Sequence, residues 1–155
     1  MRLKFGVILF TFGLFFASCK KEITMQEYMV GNWETKYINL NMPTYHKSDS
    51  LYVLEDDFTK SDAILAQSNY KKDSTFSAWY LTPKKEKTTM TDGKWFIKND
   101  SLYIEFTVNN VTTKAAYFVE KTADGFQGKS LSDWDKDGEK DDFLVMKAKR
   151  INLTE

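Results

Sequence analysis

The feature that most restricts the fold is an alternation of apolar and polar residues that begins at Ser74 and continues toward the end of the chain. Apolar residues recur at every second position in residues 76–80, 102–108 and 115–119, and a turn-forming pair such as Asn99-Asp100 separates successive stretches. A period of two is typical of half-buried strands, and short strands joined by tight turns indicate an antiparallel meander. The sequence therefore predicts an all-β fold.

Composition supports this fold class and excludes several functions. Aromatic residues make up 15% of the 155 residues and suit a pleated, half-buried surface. Lys and Arg together number 22, as do Asp and Glu, so there is no basic field to bind nucleic acid. One His and one Cys exclude the usual zinc and nucleophile constellations, and we predict no enzymatic activity. The length suits a single domain, and we expect a monomer.

The amino terminus predicts export. A basic start is followed by a run of residues 5–16 without a charge, which is typical of a secretory signal peptide and too short to span a bilayer. The chain's cysteine follows in Phe16-Ala17-Ser18-Cys19, which resembles the lipobox of bacterial lipoproteins. That resemblance implies cleavage after residue 18, acylation of Cys19, and a lipid anchor in the outer membrane on its periplasmic or cell-surface face. The alternative is an ordinary signal peptide cut near Ala17 or Ser18, with an idle thiol.

The predicted organisation has three parts: a signal peptide at 1–18, a tether with a short helix at 19–29, and a β-domain at 30–155. Thr24 and Glu27 have the spacing of a capping box, so we expect a helix that ends at about Met29. In the next segment we expect a strand with Trp33, Thr35 and Tyr37 on one face. Further on we expect a strand over 50–55, a short helix over 59–67, and a variable loop within 39–72 beside a mouth.

Three short motifs carry a resemblance to a known family. Gly31-x-Trp33 opens the first strand, Gly93-Lys94-Trp95 is followed by Asp100-x-Leu102-x-Ile104, and the last apolar strand ends in Lys149-Arg150. This order resembles the lipocalin-like lipoproteins of Bacteroidetes-type bacteria. The resemblance implies an antiparallel barrel of about eight strands in which Arg150 packs on Trp33 and Gly31 permits a tight entry. The alternative is that Trp33 is an ordinary core residue and Arg150 a charge at a strand end.

An acidic stretch predicts a metal site. Residues 133–141 match D-x-D-x-D-G-x-x-D, and the glycine at its sixth position lets the backbone turn sharply around one calcium ion. Leu144 stands where an EF-hand has its last glutamate, and strands are expected on both sides. The loop therefore resembles shorter calcium loops held in hairpins, with a structural role. The alternative is an acidic hairpin tip without a cation. The predicted ligands are Asp133, Asp135, Asp137, Asp141 and, through its backbone carbonyl, Glu139.

Two functions fit this barrel. The first is binding of a small apolar or amphipathic ligand in an aromatic interior, for which we predict the residues Tyr80, Trp95, Phe106 and Tyr117. The second is a module with a filled core that docks on another envelope protein through residues 39–72. Large inward side chains weaken the first function without replacing it, because an eight-stranded barrel barely has room for one ligand. The docking module is the alternative.

Overall fold

The structure is a computed structural model that describes residues 22–60, 62–108 and 111–152. The described chain has one short α-helix and nine β-strands. The helix is α1 (Met25–Met29), and a 3₁₀ turn covers Tyr45–Lys47. The strands are β1 (Gly31–Met42), β2 (Tyr52–Asp56), β3 (Leu65–Tyr70), β4 (Thr75–Leu81), β5 (Lys87–Lys98), β6 (Ser101–Val108), β7 (Val111–Lys121), β8 (Gly125–Ser132) and β9 (Asp142–Ile151).

Eight of these strands form a closed barrel. Strands β3 to β9 pair in sequence order, all antiparallel, and β1 joins β9 from Asn32↔Ile151 to Asn41↔Phe143. This pairing closes the sheet on itself, which is the architecture of an up-and-down barrel such as a lipocalin. The predicted all-β, antiparallel, lipocalin-like barrel of eight strands with a short N-terminal helix is confirmed.

The ninth strand, β2, is an addition to this barrel. One edge of β1 pairs with β3 only through residues 31–34, and beyond that point the same edge pairs with β2 through residues 38–42. Strands β2 and β3 therefore share one edge of β1 without pairing with each other. The wall of the barrel is open between them.

The two ends of the barrel differ. Because neighbouring strands run in opposite directions, α1 and the turns at 71–74, 99–100 and 122–124 lie at one end, which we call the closed end. The connections 43–51, 82–86 and 133–141 lie at the other, which we call the mouth. The acidic loop is thus at the mouth, and the chain enters the barrel at the closed end.

Helix α1 plugs the closed end. Thr24 and Glu27 form the predicted capping box, and the helix ends at Met29 as expected. Met29 is fully buried, and its carbonyl accepts a 2.8 Å hydrogen bond from Nε1 of Trp33. The backbone N–H of Ile97 donates to the side chain of Gln26 at 2.7 Å. These contacts hold α1 across the closed end of the barrel, where it packs into the main hydrophobic core.

Two local predictions are wrong. A bulge at Lys36 shifts the register of β1 against β9, so Tyr37 lies on the face opposite to Trp33 and Thr35. The helix expected over 59–67 is absent from the described part of that segment, because residues 65–70 form β3 between β1 and β4. Pairing with two neighbouring strands overrides the weak helical pattern there.

The predicted leader and Cys19 lie outside the described residues, so cleavage and acylation remain predictions. No helix within residues 22–60, 62–108 and 111–152 combines the length and the apolar character that crossing a bilayer requires.

Candidate functional site

The barrel contains two adjoining cavities. The inner cavity has a volume of about 200 Å³ and lies between the strands, and the outer cavity has about 290 Å³ and continues toward the mouth. They share five lining residues, which are Ala66, Gln67, Phe76, Ala78 and Phe106. The two alanines stand where larger residues would fill the space, since interior side chains normally close a barrel of this size. Part of the barrel interior is therefore not filled by side chains.

The outer cavity reaches the surface near the mouth, between β4 and β5. Tyr80 and Thr89 line it and are both exposed, with 48% of Tyr80 accessible. A register shift between β4 and β5 falls just there, between Ala78 and Tyr80. Bulges of this kind often lie at barrel rims, where they redirect side chains. The outer cavity therefore gives a small molecule a route from solvent to the inner one.

The inner cavity is apolar with a few hydroxyl groups. Burial raises the pKa of Tyr117 to about 12, and no hydrogen bond from another described residue offsets this effect. Burial also raises the pKa of the neighbouring Tyr70, in part counteracted by a hydrogen bond with Ser68. The hydroxyl of Tyr117 has no such contact among the described residues, so it is available to a polar group.

Three of the four residues predicted for ligand binding lie at these cavities. Tyr80 is at the rim, Phe106 lines both cavities and Tyr117 lines the inner one. The structure places Trp95 elsewhere. Its ring packs edge-on against Tyr70 with centroids 5.2 Å apart, and its Nε1 donates to the carbonyl of Lys71 at 3.0 Å, near the closed end.

The sequence reasoning missed Ala66 and Ala78 as cavity residues. The signal was present for Ala78, which alternates with Phe76 and Tyr80 and is the small member of that inward series. It also missed a buried network of hydrogen-bonded polar side chains that joins β1, β3 and β4. Gln67 donates to Glu34 at 2.6 Å and accepts from Nε1 of Trp79 at 2.9 Å.

Glu34 is the charged member of this network. Burial alone would raise the pKa of its carboxyl, but hydrogen bonds from Lys36 and Gln67 and the charge of Lys36 outweigh burial and lower the pKa. Lys36 forms an ion pair with it. Gln67 alternates with Ala66 and Ser68 in β3, so this network lies on the outer side of a strand that borders both cavities.

At the closed end, Arg150 ties the last strand to the entry of the chain. Its guanidinium lies 4.2 Å from the centre of the Trp33 ring, and its Nη1 and Nη2 donate to the carbonyls of Val30 and Tyr28. Gly31 has a φ of 137°, and a methyl group there would collide with Nη1 of Arg150. The three residues that the resemblance assigned to this structural role therefore contact one another.

The acidic loop brings together a different set of acids from the predicted one. One carboxylate oxygen each from Asp133, Asp135 and Asp142 lies within 4.8 Å of the others. Asp137 and Asp141 are not in this group, and each has an oxygen 3.5 Å from the hydroxyl of Thr44. The side chain of Asp142, which the motif does not include, is 1% exposed and therefore the most buried acid of the loop.

The loop also packs against a residue that lines the inner cavity. The backbone N–H groups of Trp134 and Asp135 donate to Oδ2 of Asp142 at 2.5 and 3.2 Å. The ring of Trp134 lies 6.4 Å from that of Tyr117, a lining residue of the inner cavity. The backbone of the loop is therefore hydrogen-bonded to Asp142, while the ring of Trp134 packs near Tyr117.

Comparison with known proteins gives one similar fold. No family model matches the chain, and no curated protein matches its sequence. Among solved structures, the chain is similar to a lipocalin-like protein from Bacteroides uniformis, with 14% sequence identity and a TM-score of 0.43. The similarity covers 77% of this chain and 96% of that one.

Proposed function

We propose that this protein is a lipid-anchored envelope protein that carries a small apolar or amphipathic molecule inside its barrel. The observation that supports the proposal is the apolar double cavity under Ala66 and Ala78, with the unpaired hydroxyl of Tyr117 in its wall. A mostly apolar cavity with a few placed polar groups is the usual form of a small-molecule site. The proposal includes no catalytic step and no nucleic acid, and it treats the protein as a monomer.

The dimensions limit the ligand. An engineered cavity of about 150 Å³ holds a benzene ring, so an inner cavity of about 200 Å³ accepts one ring or a short chain. A longer molecule extends through the outer cavity to Tyr80 at the rim. Tyr117 has a donor for which the protein offers no partner among the described residues, so a ligand with one oxygen or nitrogen acceptor at its inner end fits best.

The anchor determines the orientation of the cavity. In this proposal the signal peptide is removed and Cys19 is acylated, which holds the protein on the outer membrane at its periplasmic or cell-surface face. Lys121 donates to the carbonyl of Ile23 at the closed end. Three residues from Glu22 to Cys19 reach at most about 10 Å, so the closed end lies next to the lipid and the mouth faces away. The ligand then arrives from the aqueous side.

The proposal also includes a calcium ion that stabilises the hairpin of β8 and β9. Two of the converging acids, Asp133 and Asp142, each have an Oδ1 that is buried without a hydrogen-bond partner among the described residues. Buried anionic oxygens without partners are costly, and calcium takes six to eight oxygen ligands at about 2.3–2.6 Å. A cation in the loop would remove that cost.

Native mass spectrometry of the full-length protein, extracted from membranes with mild detergent, tests the carrier proposal. We expect a bound molecule on the wild type and on Ala116→Phe, because Ala116 is exposed on the outer face of β7. The variant Ala78→Phe fills both cavities and should lose the bound mass. A wild type without a bound molecule, or Ala78→Phe that retains it, would contradict the proposal. Loss of membrane association in Cys19→Ser tests the anchor separately.

Docking on another envelope protein is the second candidate function. Strand β2 and the residue before it expose Leu51, Tyr52, Val53 and Leu54 by 40–65%. Exposed apolar patches often mark interaction sites. Chemical crosslinking in intact cells tests this function. A protein partner that is captured by the wild type and lost in Leu51→Glu/Val53→Glu would favour it.

A further inference from the structure

We propose that a divalent cation held by Asp133, Asp135 and Asp142 seats Trp134 against Tyr117, and thereby couples cation binding to the ligand cavity. This inference rests on the proposed calcium site and names its ligands and its effect on the proposed carrier function. It differs from the sequence motif in that Asp142, and not Asp137 or Asp141, closes the site.

The position and the burial of Asp142 suit a residue that completes the set of cation ligands. It is the first residue of β9 and pairs with Ser132 of β8, so the sheet fixes its backbone. Its Oδ2 already accepts two backbone hydrogen bonds from the loop. Its Oδ1 is buried without a hydrogen-bond partner in the described structure. Because Leu144 takes the place of the last EF-hand glutamate, a buried acid two residues earlier supplies the anionic oxygen that the motif lacks.

The spacing of the three acids suits one ion. Oxygens bound to the same calcium at about 2.6 Å can be no more than about 5.2 Å apart. The oxygens of Asp133, Asp135 and Asp142 meet this limit, since all lie within 4.8 Å of one another. Three carboxylates at this distance repel one another, and the repulsion is greatest around the buried Asp142. A cation bound between the three carboxylates attracts each of them, which outweighs their mutual repulsion and holds the acids together.

Trp134 connects this site to the cavity. It lies between two of the ligands in sequence, its backbone N–H donates to the third, and its ring faces Tyr117 at 6.4 Å. Its Nε1 is buried without a hydrogen-bond partner among the described residues, so hydrogen bonding of that atom does not hold the ring in place. The conformation of the loop holds it. If the acids separate, the backbone of Trp134 moves and its ring leaves Tyr117, which lines the inner cavity.

Coupling of this kind is reciprocal. A cation that fixes Trp134 in place preorganises the cavity wall, so the ligand binds more tightly, and bound ligand tightens cation binding by the same factor. Coupling between two protein sites commonly changes affinity by about fivefold or more. The affinity of the cavity for its ligand then rises with the calcium concentration outside the membrane.

Isothermal titration of the full-length protein in detergent with CaCl₂ tests the ligand set. We expect the wild type and Asp141→Asn to bind with similar affinity, and Asp142→Asn and Asp133→Asn to bind at least about tenfold more weakly. Asp133 is only half-buried, so Asp133→Asn tests the site even if Asp142→Asn does not fold. Equal binding by the wild type and Asp142→Asn, or loss of binding in Asp141→Asn alone, would overturn the assignment.

Acrylamide quenching tests the coupling without any ligand. The quenching of Trp134 is the difference between the wild type and Trp134→Phe, which retains a ring against Tyr117. We expect calcium to reduce this quenching in the wild type and not in Asp142→Asn. Quenching of Trp134 that calcium leaves unchanged in a wild type that binds calcium would reject the coupling and leave the cation site and the carrier proposal standing.

Discussion

The guanidinium of Arg150 stacks 4.2 Å from the Trp33 ring while its Nη1 donates a 2.8 Å hydrogen bond to the carbonyl of Val30. These two residues are opposite each other in the pairing of β1 with β9, which is the seam that closes the barrel. The same guanidinium also donates to the carbonyl of Tyr28, at the C-terminal part of α1. One side chain therefore joins the first strand, the last strand and the helical plug.

Arg150→Ala should destabilise the fold. The variant loses a cation–π contact and two charge-assisted hydrogen bonds, and we expect the free energy of unfolding in urea to fall by about 2 kcal/mol. Arg150→Lys keeps the charge but not the forked geometry, so it should lose about half as much. The neighbouring Lys149→Ala is the control and should change little. Equal stability of Arg150→Ala and Lys149→Ala would show that the stacked arginine does not stabilise the seam.

Gly31→Ala should be destabilising for two reasons. The φ of 137° at Gly31 is unfavourable for any residue with a Cβ, and the added methyl group meets Nη1 of Arg150. We expect a loss of about 2 kcal/mol or more in urea denaturation. In the double variant with Arg150→Ala the collision is gone but the backbone strain remains, so Gly31→Ala should cost less there. A cost that does not depend on Arg150 would contradict the close approach.

The two buried phenols should respond differently to loss of their hydroxyl groups. Tyr70→Phe removes a hydroxyl that contacts Ser68, so we expect a loss of up to about 1 kcal/mol. Tyr117→Phe removes a buried hydroxyl without a described partner, so the stability of the ligand-free protein should stay the same or rise by up to about 1 kcal/mol. Urea denaturation of both variants measures this, and a larger loss in Tyr117→Phe than in Tyr70→Phe would contradict the assignment of Tyr117 as the free donor.

Acid should destabilise the wild type through Glu34. The pKa of this carboxyl is lowered in the folded state from an ordinary value of 4.5, so the unfolded state takes up the proton first as the pH falls. Its contribution to stability is therefore present above pH 4.5 and is lost as the pH drops through the lowered folded-state pKa. Glu34→Gln lacks this contribution, and its free energy of unfolding should fall less steeply in acid. Parallel pH profiles for the two proteins would contradict the role of Glu34.

Calcium should raise the melting temperature. For a site with an affinity near 10⁻⁴ M, about 2 mM calcium stabilises the fold by about 2 kcal/mol, which corresponds to roughly 5 °C for a domain of this size. Asp142→Asn, with affinity at least about tenfold weaker, should show at most about a third of this shift between calcium and EGTA. Differential scanning calorimetry measures both, and a wild-type melt that does not respond to millimolar calcium would remove the site.

Much of the fold could be predicted from local sequence. The alternation after Ser74 corresponds to β4 to β9, because each of these strands has one face inside the barrel and one outside. The capping box of α1 was also recognisable, because its two residues are only three positions apart. The side chains of Thr24 and Glu27 each accept a hydrogen bond from the backbone N–H of the other. These features depend on neighbours in the chain.

The features that could not be predicted depend on contacts between distant strands. Lysine is not a residue type that marks a bulge, so the bulge at Lys36 has no signal in the sequence. Its effect on the direction of Tyr37 follows from the pairing of β1 with β9. The strand at 65–70 is stabilised by β1 and β4, and not by its own pattern. The sharing of one β1 edge by β2 and β3 has no local signal either.

The candidate site shows the same division. The acidic repeat identified Asp133 and Asp135, but the convergence of Asp142 on them results from its register position opposite Ser132. Phe106 and Tyr117 followed from the inward face of their strands. The cavity itself follows from small residues, Ala66 and Ala78, which a search for large aromatic side chains passes over.

The central claim is that the barrel interior holds a small molecule, and a crystal structure of the protein purified from its own membranes tests it most directly. We predict electron density between Ala66, Ala78 and Tyr117 that no protein atom explains, with a polar atom within hydrogen-bonding distance of the Tyr117 hydroxyl. An interior that contains only water, or in which side chains have moved to fill both cavities, would contradict the account.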